Sequence, residues 1–360
     1  MSIGFTARRG ILAEKITERP GVEVWRAHLG EQEVEAIIYP ALVGPGHVGE
    51  SVLMNTTAVE LALGTGGQHF VIARAELDAP LRRDEGHIVK LRYTPLQCRV
   101  LAAEEEASPY HEDLRRVDRL PGLPVICLGL HSQLAPAVGG VKAANPALRI
   151  AFVMTDSGAL PLPYSRLVCQ LQAEGLLDVT VTVGQAFGGD LEAVNLYSGL
   201  AVAALAGKAD IVIAGQGPGN VGTDTALGFG GAEQATILNA AAALDCQPIA
   251  VPRISFADPR ARHQGLSHHT LTVLKRLALA EAVLPLPLLS PQQQAIISGQ
   301  LQRESITRHR VCMVDGQPGV ALCAHHGIAL QSMGRAYAAD PAFFLAAAAA
   351  GRAAAERAPA

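Results

Sequence analysis

The sequence predicts an α/β plus β fold, with an N-terminal small β-barrel domain followed by an α/β domain that has a mainly parallel sheet. Three observations carry this. At 360 residues the chain exceeds one typical domain. Its first ~100 residues are short runs rich in β-branched side chains, separated by turn chemistry such as Pro20-Gly21 and Gly44-Pro45-Gly46. After Leu123, continuously apolar runs recur every ~25–37 residues, each followed by a helical pattern, as expected of a buried parallel sheet.

The barrel strands are read from "GILAEKI", "VEVWRAHL", "VEAIIYP", "ESVLMNTT" and "HFVIARAEL". A last long strand is expected in "HIVKLRYTPLQCRVLAAEEE". The charged, proline-closed "SPYHEDLRRVDRLPGLP" reads as a bridge, so the domains are taken as 1–105 (barrel), 106–122 (linker), 123–335 (α/β) and 336–360 (an alanine-rich helix). The α/β strands are "PVICLGLH", "RIAFVMT", "VTVTVG", "DIVIAG" and "QPIAVPRI", with helices over 132–144, 161–175, 190–206 and 231–244. Helices near 268–281 and 291–303 and the run "HRVCMV" extend this pattern. Alanine propensity makes the tail helical, but its low complexity leaves it free to fray.

Right-handed crossovers bring every parallel strand into the sheet from one edge, so all strand exits meet at the other, where open α/β sheets bind ligands. Those exits carry His131-Ser132, Thr155 to Gly158 with Asp156, Gly184-Gln185 with Gly188-Gly189-Asp190, a glycine-rich segment from Gly215 to Gly231, and Arg253 through His269. Gly217-Pro218-Gly219-Asn220-Val221-Gly222 matches G-x-G-x-x-G, but Gly228, Gly230 and Gly231 delay the helix that a dinucleotide fingerprint requires, and the strand is the domain's fourth. The overlapping G-x-x-x-x-G-Thr223 lacks the P-loop lysine. What remains is a backbone nest for an anion, formed by Gly217, Gly219, Asn220, Gly222 and Thr223.

"RISFADPRARHQGLSHHT" carries the most chemistry. Arg253, Arg260 and Arg262 suit phosphate or carboxylate, while Asp258, His263, His268 and His269 suit acid, base or ligand roles. No H-x-x-x-H or H-E-x-x-H occurs, and adjacent His268 and His269 should point ~100° apart on a helix, so no metal is assigned. Ser267 suits a helix cap. Asp156 ends a buried strand and serves equally as a ligand group or as a cap for a helix with Pro161 in its first turn. Asp190 fits the N-cap of the next helix, with Glu192 in its first turn, or joins Gly189 in anion binding. His131 beside Ser132 suggests a base next to a nucleophile, though no G-x-S-x-G elbow is present. In the barrel, Asn55, Thr56 and Thr57 with Gly64, Gly66 and Gly67 form either a second nest or a tight turn.

Composition limits the partners. Half the residues are apolar (49%), net charge is −4 and no long uncharged apolar run occurs, so neither nucleic acid nor membrane is expected as a partner. Six cysteines without C-x-x-C spacing and no signal-peptide pattern suggest a reducing, cytoplasmic compartment.

As a set, "NTTAVELALGTGGQHFVIA", "KLRYTPLQ", "SPYHE", "MTDSGALPL", "FGGDLEAVN", "GPGNVGT", "VPRISFADPR" and "SHHT" give a chain that resembles the bacterial family catalogued as domain of unknown function 3866, over nearly its whole length. The resemblance implies no activity. Asp224 stands where that family's loop is expected to have glycine, which makes Asp224 a poor catalytic candidate. The functional expectation is a small anionic ligand, phosphorylated or nucleotide-like, bound or acted on at the strand C-terminal edge. Asp156, His268 and His269 are the proton-transfer candidates, and the cofactor is unassigned. The alternatives are a non-catalytic sensor, or a scaffold whose barrel mediates assembly into homo-oligomers.

Overall fold

The computed structural model describes residues 5–62, 67–75 and 86–358 and divides into two compact units, one ending at Val100 and one starting at Leu101. In the first unit, β1 (Ala7–Arg19), β2 (Val22–Leu29), β3 (Gln32–Ile38), β4 (Ser51–Asn55) and β5 (Gln68–Arg74) close into a barrel of order β1-β2-β3-β5-β4, with the short helices α1 (Pro40–Val43) and α2 (Thr57–Glu60) in its connections. All pairs are antiparallel except β3 with β5. Alternate side chains such as Leu12, Trp25, Ala27, Ala36 and Met54 fill the interior, as the strand period of two requires.

The expected last long strand is instead a hairpin, β6 (Ile88–Lys90) with β7 (Cys98–Val100), split by a turn in which Leu91 and Tyr93 take positive φ. Of the barrel nest, Gly64 and Gly66 lie outside the described residues. Asn55, Thr56 and Thr57 spend their side chains locally. Asn55 accepts from Thr57 N at 3.0 Å, Thr57 Oγ1 accepts from Thr6 N at 3.0 Å, and Thr56 bonds Thr6 and Glu60.

The second unit holds an eight-stranded sheet in which every pair is parallel. In chain order, and after the short helix α3 (His111–Leu114), its elements are β8 (Pro124–Cys127), α4 (Leu134–Ala144), β9 (Ile150–Thr155), α5 (Arg166–Ala173), β10 (Val179–Thr182), β11 (Leu191–Glu192), α6 (Leu196–Leu205), β12 (Ile211–Gln216), α7 (Glu233–Ala243) and β13 (Gln247–Ala250). A two-stranded ribbon follows, β14 (Ile254–Ser255) and β15 (Gly265–Leu266), then α8 (His268–Thr272) with a π-helical turn (Val273–Leu277). The rest is β16 (Val283–Pro287), α9 (Pro291–Arg303), β17 (Arg310–Val314), α10 (Gln317–His325), the hairpin β18 (Gln331–Ser332) and β19 (Arg335–Ala336), and α11 (Pro341–Ala355). Sheet order is β11-β10-β9-β12-β8-β13-β16-β17.

Both sheet faces are covered, so the central strands β8, β9, β12 and β13 are apolar at nearly every position. Val125, Val153 and Val212 face α6 and α7, while Ile126, Phe152 and Ile213 face α4 and α11. Strand β16 escapes pattern reading because "VLPLP" holds two prolines, which suit edge strands. Alternate residues point their N–H groups to the same side, so Pro285 and Pro287 strip donors from one edge. Accordingly, β16 meets β13 through one registered pair, Ile249 with Val283, but pairs along its whole length with β17.

Helix boundaries differ from expectation where caps decide them. The 161–175 helix begins at Arg166, because Ser165 rather than Asp156 supplies the cap, accepting from Val168 N, and Pro161 lies ahead of its first turn. The 190–206 helix begins at Leu196, capped by Asn195. Asp190 is therefore not an N-cap. Its carboxylate accepts from Thr180 N, Thr180 Oγ1 and Gln172 Nε2 at 2.8–2.9 Å, and Glu192 sits in β11 instead of a first helical turn. The alanine-rich tail does not fray. It forms α11, buried along most of its length against α4, α10 and the sheet. No helix among the described residues is long and apolar enough to cross a membrane.

Candidate functional site

The chain leaves β8 toward β9 on one side and leaves β12 toward β13 on the other, although β8 and β12 are neighbours in the sheet. That reversal is a topological switch point, where the exit loops part and leave a crevice. A chamber of about 20 Å³ opens there. It is lined by Gly129 and Leu130 after β8, Asn220 after β12, and Val251 and Arg253 after β13. Beyond it lies a pocket of about 130 Å³ that shares Asn220, Arg253 and His269 with the chamber and adds Gly222, Asp224, Arg260, Arg262, His263, His268 and Met333.

One wall is the glycine-rich segment. Gly217 packs on the turn after β9, where a Cβ would come within 2.7 Å of Ala159 O, and Ala159 N donates to Pro218 O at 2.8 Å. The chain then turns at Gly219, with φ +99°, and folds on itself as a hairpin joined by Thr223 N to Gly228 O, Gly230 N to Val221 O and a Gly222–Phe229 bridge. Phe229, buried, stacks on the His269 ring with centroids 4.0 Å apart and planes 1° apart.

The other wall is the Arg253–His269 segment. Pairing of β14 with β15 doubles it back, so that Ser267 N reaches Arg253 O and His263 comes beside the start of α8. As expected, Ser267 caps α8, accepting from His269 N at 3.2 Å. The same hydroxyl meets His263 Nδ1 at 2.7 Å. The rings of His263, His268 and His269 then cluster, with centroids 4.9 Å (263–268), 5.1 Å (263–269) and 4.2 Å (268–269) apart. The expected ~100° divergence of His268 and His269 describes Cα directions on an ideal helix. At the first residues of a five-residue helix, side-chain torsions bring both rings together.

Asp258 organises the arginines. Its carboxylate, 0% exposed, receives Arg260 Nε and Nη2 at 2.9 and 2.8 Å and lies 3.4 Å from both Arg253 and Arg335. The Arg260 hydrogen bonds hold it well below the usual carboxylate range, against its own burial. Arg335 also pairs with Asp340, and Arg262 pairs with Asp224. Four guanidiniums thus face three carboxylates, an excess of positive charge.

The histidines stay neutral in this setting. Burial, reinforced by the nearby arginines, pushes His263 down to about 4, and burial with neighbouring His268 pushes His269 down to about 3. On the other side of β12, His131 is also pushed by burial to about 4, with Nδ1 against Gln216 O and Nε2 2.8 Å from Ser165 Oγ. Each folded-state value lies below the ordinary histidine value of about 6.5, so the unfolded chain binds more protons as pH falls. Stability is expected to be full above about pH 6.5 and to decline toward pH 4, by up to about 1.4 kcal/mol per pH unit for each histidine that must charge. Urea midpoints at pH 7.5, 6 and 5 check this, and a flat profile across the window would contradict neutral histidines.

Of the residues read from sequence, Asn220, Gly222, Arg253, Arg260, Arg262, His263, His268 and His269 line the pocket. The others do not meet there, for identifiable reasons. Gly217 and Gly219 shape the loop's path. Thr223 Oγ1 is held inside the hairpin by Gly228 O and Thr225 Oγ1. Asp156, exposed, accepts from Gln185 N at 2.9 Å and fastens two strand exits together. Gly189 donates to Thr182 Oγ1, which, with the Asp190 contacts, ties the turn to β10. His131 and Ser132 diverge, His131 to Ser165 and Ser132 to Ser332 Oγ at 2.8 Å. The pocket adds Asp224 to the sequence set. Asp224 was set aside as a family departure, yet it lines the pocket as the partner of Arg262.

A model of the family described as protein of unknown function (DUF3866) matches residues 35–351. No curated protein matches the chain.

Proposed function

The chain belongs to the family of proteins of unknown function DUF3866, and for this member we propose that the pocket at the switch point binds a small anionic metabolite through its phosphate or carboxylate. The observation that carries the reading is the lining itself. Arg253, Arg260 and Arg262 face one cavity over a loop whose Gly222 places no side chain in the way. Arg260 and Arg262 are partly exposed at 43% and 39%, so their outer N–H groups can receive a ligand while Asp258 and Asp224 fix their planes. With one water needing about 10–15 Å³ on this measure, about 130 Å³ corresponds to roughly ten non-hydrogen atoms. That suits a small phosphorylated compound or an organic acid better than a whole dinucleotide.

Calorimetric titration with inorganic phosphate, pyrophosphate and citrate, against chloride as control, tests the proposal. Binding is expected, with stabilisation of about 2.7 kcal/mol at a hundredfold excess over Kd. The double variant Arg260→Ala/Arg262→Ala should weaken it at least tenfold. Unchanged anion binding in the folded double variant would reject the site. A ligand recovered intact after long incubation would favour the sensor reading of the same pocket over turnover.

A further inference from the structure

Beyond anion binding, we propose that His263, His268 and His269 form a three-histidine site for a divalent transition metal of the zinc class, with its remaining coordination position open to the pocket. One ring nitrogen from each histidine lies within 4.8 Å of the others. Zinc at 2.0–2.1 Å from three tetrahedrally arranged nitrogens requires them about 3.3 Å apart, so modest ring rotations complete the set. Two further observations point to a ligand. His268 Nε2 is buried without a hydrogen-bond partner, an arrangement that a metal–nitrogen bond relieves. His263 is oriented through Nδ1 by the Ser267 hydroxyl, leaving Nε2 as its coordinating atom, the outer-sphere arrangement by which proteins aim metal-binding imidazoles. Stacking on Phe229 fixes the plane of His269. The donor set is all imidazole, which suits zinc, cobalt, nickel or copper and does not suit magnesium or calcium.

The surrounding charge gives the site its character. Arg253 and Arg260 are offset by Asp258, and Arg262 by Asp224. The pocket then holds only a small positive excess before the metal enters. A bound divalent ion raises that excess, and an anion at the open position, facing the same arginines, lowers it. Metal and anion should therefore bind with positive and reciprocal coupling.

The test uses the full-length protein, stripped with chelator and dialysed into phosphate-free buffer, with Zn²⁺ and Co²⁺ as probes. One metal per chain is expected, with Co²⁺ giving visible bands of four- or five-coordinate intensity. His268→Ala and His263→Ala should each lower affinity at least ~100-fold, since even outer-sphere partners are worth 10–100-fold. His326→Ala, at a histidine that meets Glu174 and stacks edge-on with His325, should leave affinity unchanged. His263 is 1% exposed, so if its variant does not fold, His268→Gln, at a partly exposed position, decides the matter. Absence of zinc binding, or stoichiometry and affinity unchanged in a folded His268 variant, overturns the metal site. The Arg260→Ala/Arg262→Ala variant separates the two proposals, because it should retain zinc while losing phosphate. Zinc binding without any phosphate response would sink the anion reading alone, and phosphate binding without zinc would sink the metal site alone.

Discussion

Gly351→Ala is expected to destabilise the α/β unit by about 3 kcal/mol, through overpacking between two helix backbones. A Cβ at Gly351 would lie 2.0 Å from Ala137 O, and one at Gly140 would lie 2.0 Å from Ala348 O. Helices α4 and α11 therefore touch main chain to main chain at two reciprocal points, and neither contact can yield by rotating a side chain. Accommodating a methyl group requires the helices to separate, which also loosens Phe344, Val138 and Val141 in the core between them and the sheet. Helix propensity acts in the opposite direction, because alanine is favoured over glycine by about 1 kcal/mol in a helix interior. Gly299 in α9 isolates that term, since a Cβ there meets nothing within 4 Å. Gly299→Ala should thus stabilise by up to about 1 kcal/mol while Gly351→Ala destabilises. Urea unfolding of both variants measures the two signs. Equal shifts would mean that α4 and α11 do not approach this closely. Gly140→Ala and Gly351→Ala combined should fall short of additivity, because either one already parts the same helix pair.

Asp258→Asn is expected to cost about 3–5 kcal/mol, the range for removing one partner of a buried ion pair. The substitution keeps the shape and removes the charge that Arg253, Arg260 and Arg335 share. Arg253, 6% exposed, then keeps no ion pair among the described residues, and the remaining carboxylate acting on it, Asp340, is already paired with Arg335. The pH dependence supplies an independent check. Asp258 titrates well below its ordinary value in the folded state, so its contribution is present above about pH 4 and is lost as pH falls further. The Asn variant should lack that acid limb. Asp224→Asn serves as contrast. Asp224 is 68% exposed, and loss of its pair with Arg262 should change stability by less than about 1 kcal/mol. If the two variants unfolded at the same urea concentration, Asp258 would not be the anchor of the arginine cluster.

Much of the architecture was readable because it follows from local pattern. The five barrel runs and the apolar runs of the parallel sheet correspond to observed strands, and 291–303 is the helix expected there. Misreadings fall where a local rule met a tertiary exception. The strand at "VLPLP" is not legible in the sequence, since its prolines hide the pattern, yet β16 needs donors chiefly toward β17. The tail helix is legible in its alanines but reads as free to fray, and a row of alanines with Gly351 is what instead lets α11 lie against α4. Asp190 has the residue type of a cap, yet Thr180 offers it a backbone N–H and a hydroxyl across the strand.

The candidate site divides in the same way. Sequence alone determined which loops share an edge, because strand periodicity is local and crossover handedness follows from the chirality of the residues. It also marked "RISFADPRARHQGLSHHT" by its density of arginine and histidine. Only the tertiary structure decided that β12 inserts between β9 and β8 and so puts the switch point beside that segment. Only it decided that Asp258 gathers three arginines, and that three histidines separated by a β-ribbon turn their rings together. Strand order and side-chain convergence depend on contacts between residues far apart in the chain, and no local period encodes them.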